Sequence, residues 1–86
     1  VWVMDTTVDT ICHGADLAVP GISKLESGIE KNHTVAVMSL KGELIALGES
    51  RMSSDEMKNN NKGVAIKTKK VFMDPGVYPR VQRKEN

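Results

Sequence analysis

Eighty-six residues with a formal net charge of +1 leave room for one domain, and a chain of that size buries roughly 60 to 65% of the surface its unfolded form exposes. One cysteine excludes an internal disulfide, and no stretch approaches the roughly 20 apolar residues of a membrane helix. These absences predict a reducing, cytoplasmic setting without membrane contact. The charge is unevenly spread: residues 1–57 carry four basic and nine acidic side chains, residues 58–86 eight and two. Such an asymmetry makes a cationic, phosphate-attracting face or a solvated tail.

Val1-Trp2-Val3-Met4 reads as an apolar strand, so the chain opens directly on a structural element, as an excised piece of a longer protein would. Asp5 or Thr6 then offers an N-cap, with Asp9 three positions after Thr6. Val8, Ile11 and Cys12 share one face of the helix this predicts, and Gly14 is placed to end it in the left-handed region. Residues 15–22 are too interrupted for a helix and predict extended backbone around a Pro20-Gly21 turn, followed by a short strand over residues 22–25.

Two apolar runs, residues 33–40 and 43–48, are separated by Lys41-Gly42, which predicts a tight hairpin. Both faces of these runs are apolar, as expected of strands covered on each side. Ser53 and Glu56 form a capping box that opens a second short helix, and Asn59-Asn60-Asn61 can stop it in the left-handed region. A last strand over residues 63–73 puts Val64, Ile66 and Thr68 on one face and Lys67 and Lys69 on the other. Asp74-Pro75-Gly76 turns the chain, and residues 81–86 hold little to bury, which predicts a disordered tail. The expected fold class is mainly β, a small barrel or sandwich of mixed short strands with two short helices.

Chemistry is sparse. Cys12, His13 and His33 cannot supply the four paired ligands of a structural zinc, and the register of Cys12 points its thiol inward, away from a nucleophile's position. No phosphate-cradling, nucleophile-elbow or dinucleotide turn occurs, and Asp55-Glu56 is explained by the helix start. Trp2, Phe72 and Tyr78 are too few for a base-stacking platform, and Trp2 and Phe72 read as core anchors. There remains Gly14-Ala15-Asp16-Leu17-Ala18-Val19-Pro20-Gly21, whose small residues either let another chain's backbone approach or simply end a helix and turn.

As a string, residues 11–22 (Ile-Cys-His-Gly-Ala-Asp-Leu-Ala-Val-Pro-Gly-Ile) closely resemble the first helix and following loop of PUA domains. Residues 41–48 are similar to the central hairpin of those domains. Residues 62–66, Val71-Phe72-Met73 and Tyr78-Pro79-Arg80 resemble the close of the C-terminal PUA domain in archaeal and dyskerin-family (TruB-like) pseudouridine synthases. The resemblance covers residues 1–80. It implies a pseudobarrel whose first helix, following loop and last strand form a groove for RNA, either the ACA end of an H/ACA guide RNA or the CCA end of tRNA. Carried over by position, the RNA-binding residues are Gly14, Ala15, Asp16, Leu17, Ala18, Pro20 and Gly21, then Lys67, Lys69, Lys70, Tyr78 and Arg80.

The resemblance further implies a non-enzymatic module without cofactor or metal, lying C-terminal to a catalytic domain whose essential aspartate has no counterpart here. Its partners would be RNA, that upstream domain and ribonucleoprotein proteins, in an archaeal cytoplasm. The rival readings are a PUA module of another RNA-modifying protein, such as a tRNA-guanine transglycosylase, and a protein-interaction domain.

Overall fold

The computed structural model describes residues 1–78. The elements run β1 (Trp2–Val3), α1 (Asp5–Cys12), β2 (Leu17–Ala18), a 3-10 turn (Val19–Gly21), β3 (Ile22–Lys24), β4 (Thr34–Ser39), β5 (Leu44–Ser50), α2 (Ser54–Asn59) and β6 (Val64–Val71). The strands make one six-stranded mixed sheet in the order β2-β6-β5-β4-β1-β3. All pairs are antiparallel except β1 with β4, which is parallel. The mainly β architecture with two short helices is the expected one.

Helix α1 lies where its pattern put it. Val8 and Ile11 are fully buried and Cys12 nearly so. Its C-terminus is a complete Schellman stop, because Gly14, at φ +93°, sends its N–H to Ile11 O (2.8 Å) and Ala15 N–H reaches Thr10 O (3.1 Å). Its N-terminus differs from expectation: the cap is Met4, with no side-chain hydrogen bond, and Met4 O takes the N–H of Thr7 at 2.8 Å. Neither Asp5 nor Thr6 occupies that position, because β1 delivers the chain into the helix one residue early. Asp5 instead sits in the first turn, where a carboxylate is favoured by the helix dipole.

The β4–β5 connection spans the four residues 40–43 rather than two, because Ser39 Oγ accepts the N–H of both Lys41 (3.2 Å) and Glu43 (3.1 Å). Gly42 supplies the positive φ (+85°). Val35, Val37 and Ser39 face the core, whereas Ala36 and Met38 are half-buried, so the second face of β4 is partly open rather than covered. Helix α2 carries the predicted capping box, Ser53 Oγ accepting from Glu56 N–H (3.2 Å) and Glu56 Oε1 from Ser53 N–H (2.9 Å). The Ser53 backbone bond holds the Glu56 carboxyl below its usual range. The Asn run ends the helix without a left-handed residue: Asn60 is extended, and its Nδ2 donates to Glu56 O at 2.7 Å.

Phe72 corrects a further expectation. The register of β5 on β6 shifts between Gly48, paired with Thr68, and Leu47, paired with Lys70, so Lys69 is an extra residue. A one-residue slip exchanges the faces of everything beyond it. Val71 therefore packs against the core, while Phe72 is 47% exposed under the Lys70 ammonium, 5.4 Å from its ring. Trp2 is half-buried, with Lys24 Nζ 5.1 Å above its ring.

Candidate nucleic-acid interface

Helix α1 stops at Gly14, and the chain then runs beside β6, held at five consecutive residues. Thr68 Oγ1 donates to Ala15 O (2.8 Å), and Thr68 N–H to Asp16 Oδ1 (3.0 Å). Leu17 pairs with Ile66 and Ala18 with Val64, and Val19 N–H donates to Gly63 O (2.9 Å). Residues 15–19 thus lie alongside residues 63–68, more than forty positions away in sequence. The two regions named separately from the sequence, the small-residue loop and the lysine-bearing strand, are hydrogen-bonded neighbours.

Within them the individual residues have different roles. Gly14, Ala15, Asp16, Ala18 and Pro20 are exposed. Space is open around Gly14, where a Cβ would meet nothing within 4 Å. Gly21 is different, since a Cβ there would lie 3.0 Å from Thr7 and 3.1 Å from Leu17 Cδ1, and its carbonyl takes Met4 N–H at 3.1 Å. What Gly21 admits is the molecule's own helix. Leu17, expected at the groove, is fully buried, because β2 turns its side chain into the core.

Lys67 and Lys69 flank Thr68; Lys67 is half-buried and Lys69 exposed. Among the described residues none of Lys67, Lys69 and Lys70 enters an ion pair, and Glu49, opposite Lys67, is taken by Arg51 at 3.4 Å. Their ammonium groups are available to phosphates. Lys70 leans over Phe72 instead of the loop.

Tyr78 does not present its ring to solvent. It is 6% exposed, its hydroxyl donates to Glu43 Oε1 (2.6 Å), and Lys41 Nζ sits 5.4 Å from the ring. That hydroxyl holds the Glu43 carboxyl below its ordinary range, with Ser39 and Lys41 adding to the effect. Tyr78 therefore ties the chain's last described segment to the β4–β5 turn, as Gly76 N–H ties it to the buried carboxylate of Asp9 at 3.0 Å. Arg80 and the 81–86 tail lie outside the described residues.

Two residues of this surface are not among the binding residues expected from the sequence. The sequence puts Thr68 with Val64 and Ile66 on the face opposite Lys67 and Lys69, and in the structure it makes both contacts to the loop, one through its hydroxyl and one through its backbone N–H; a threonine in a strand gives no sign of a partner 52 positions upstream. His13 is exposed beside Gly14, with Nδ1 2.8 Å from Asp9 O. A carbonyl can only accept, so the ring carries its proton on that nitrogen. Cys12 lies behind this surface, and burial, with Asp9 and Asp74 nearby, pushes its thiol pKa up, against nucleophilic use.

The site is thus framed by a small mixed sheet with two short helices and a helix-to-strand loop laid along its last strand. The PUA domain family model matches residues 1–72. The chain belongs to the PUA domain family. It is 49% identical over all 86 residues to "Probable tRNA pseudouridine synthase B" of Pyrococcus furiosus, covering 25% of that protein. Among solved structures it is similar to a chain of an H/ACA ribonucleoprotein bound to a substrate RNA containing 2'-deoxyuridine, with a TM-score of 0.93 and 50% identity over 95% of this chain and 26% of that one. A second match, at a TM-score of 0.90 and 48% identity over 94% of this chain and 26% of the other, is to an archaeal box H/ACA Nop10-Cbf5 complex. The chain thus spans about a quarter of the length of the relatives it matches.

Proposed function

We propose that this domain holds RNA for a pseudouridine synthase, seating an unpaired end against the 14–21 loop while lysines of β6 grip the adjoining phosphates. The observation that carries this reading is the hydrogen-bonded union of the loop, open at Gly14, with the strand that bears Lys67, Lys69 and Lys70, none of them in an ion pair among the described residues. Small residues let a nucleotide approach the backbone, whose peptide groups can bond base edges of an unpaired strand. Phosphate contacts add affinity without reading sequence.

In this reading residues 1–80 are the RNA-binding domain, residues 81–86 a tail, and uridine isomerisation belongs to a catalytic domain upstream. The RNA is an H/ACA guide with its ACA end or a tRNA with its CCA end, and the setting is cytoplasmic. The relatives support this, since one is a probable tRNA pseudouridine synthase and another comes from a ribonucleoprotein holding substrate RNA. Among the described residues no helix is long and apolar enough to cross a membrane. Titration of the chain with RNA stems ending in single-stranded ACA, CCA or a scrambled trinucleotide, at several salt concentrations, tests the proposal. Salt-sensitive binding that favours ACA or CCA is expected; crosslinking at background level with every RNA would overturn it.

A further inference from the structure

We infer that Asp16 and Thr68 are positioning residues: together they clasp the 14–21 loop to β6 at the one register in which its backbone can read an unpaired nucleotide, and neither reads a base itself. The inference rests on the RNA-binding reading above and deepens it.

The main-chain ladder between β2 and β6 covers Leu17 with Ile66 and Ala18 with Val64, and its register is already irregular between Leu17 and Ala18. One step further, where a strand carbonyl would continue the ladder, the Asp16 carboxylate takes the Thr68 N–H instead (3.0 Å). The Thr68 hydroxyl returns a second bond, to Ala15 O (2.8 Å). Two reciprocal side-chain bonds therefore replace the ladder at the point where the chain leaves the sheet edge toward Gly14.

Their position gives them a purpose beyond stability. Thr68 stands between Lys67 and Lys69, so the clasp fixes the loop backbone to the strand segment that carries those lysines. A nucleotide gripped by those lysines meets the loop peptides in register only while the clasp is closed. Preorganisation of this kind raises discrimination because a loose loop loses ordering entropy when it binds. Asp16 Oδ1 is engaged by Thr68, and this accounts for a carboxylate in a phosphate-binding surface: it is held by the protein's own amide.

The test uses the 86-residue chain, with affinities for the ACA-ended and scrambled stems and amide hydrogen exchange at Thr68. Asp16→Ala and Thr68→Val should each lower the ratio of the two affinities roughly three- to tenfold, the worth of one hydrogen bond, with the salt slope unchanged. Asp16→Asn keeps an acceptor oxygen and Thr68→Ser keeps a hydroxyl, so both should restore the ratio. Thr68 amide protection should fall in Asp16→Ala and survive in Asp16→Asn. Full discrimination in Asp16→Ala and Thr68→Val, with wild-type binding intact, overturns the clasp alone. Loss of discrimination in Asp16→Asn with Thr68 still protected would mean the carboxylate reads the base, which also overturns it. A wild-type chain that binds no stem removes the RNA reading and this role with it.

Discussion

Gly48 and Gly14 are the same residue used in opposite ways. At Gly48, in the middle of β5, a Cβ would lie 2.4 Å from Ile66 Cγ2 and 2.7 Å from Lys67 O, so the chain has closed over the place where a side chain would be. At Gly14, on the rim, the corresponding space is empty and the backbone has φ +93°. One glycine lets β6 pack on β5; the other lets the helix stop and leaves room above the peptide. A missing Cβ therefore serves close packing at Gly48 and a left-handed turn with open space beside it at Gly14.

Four substitutions probe this contrast. Gly48→Ala should have the largest effect on stability, about 1 to 3 kcal/mol by overpacking. It should be visible as a lower denaturation midpoint, with RNA discrimination unmoved in the folded fraction. Gly14→Val should cost about 1 to 2 kcal/mol, since a side chain at positive φ is strained. Its principal effect should be a loss of preference for the terminal trinucleotide; unchanged preference would mean that nothing occupies the open space. Lys69→Ala should leave stability within about 0.5 kcal/mol of wild type. It should weaken binding to every RNA alike and reduce the salt slope by about one.

The smallest effect concerns the closed end of the molecule. Glu43 has a lowered pKa in the folded state, chiefly through the Tyr78 hydroxyl. Its contribution is thus present above the ordinary carboxylate pKa and is lost as pH falls through the lower folded value. Tyr78→Phe removes that bond, so denaturation midpoints between about pH 6 and about pH 3 should fall less steeply than in wild type. An equal slope in both proteins would show that the bond contributes nothing to acid sensitivity.

Features that depend on neighbours in sequence are legible in the sequence itself. The face of α1, its stop at Gly14 and the Ser53–Glu56 capping box each involve residues within one or two helical turns, where spacing specifies geometry. Departures from expectation arose where a side-chain hydrogen bond or a neighbouring strand intervened. The strand before α1 moved its cap to Met4, the Ser39 hydroxyl lengthened the hairpin turn, and the register shift at Lys69 turned Phe72 outward. A bulge is one unpaired residue in a strand, and nothing in the composition of residues 63–73 announces it.

The candidate surface divides along the same line. Local sequence was enough to single out a small-residue loop after the first helix and a run of lysines in the last strand, because each is a property of a few adjacent residues. Folding decided that they meet, that Leu17, Gly21 and Tyr78 serve the interior, and that Thr68 bridges to Asp16. Those outcomes come from hydrogen bonds and packing between positions more than fifty residues apart in several cases. Such pairings are selected by the shape of the whole sheet rather than by the preferences of either partner.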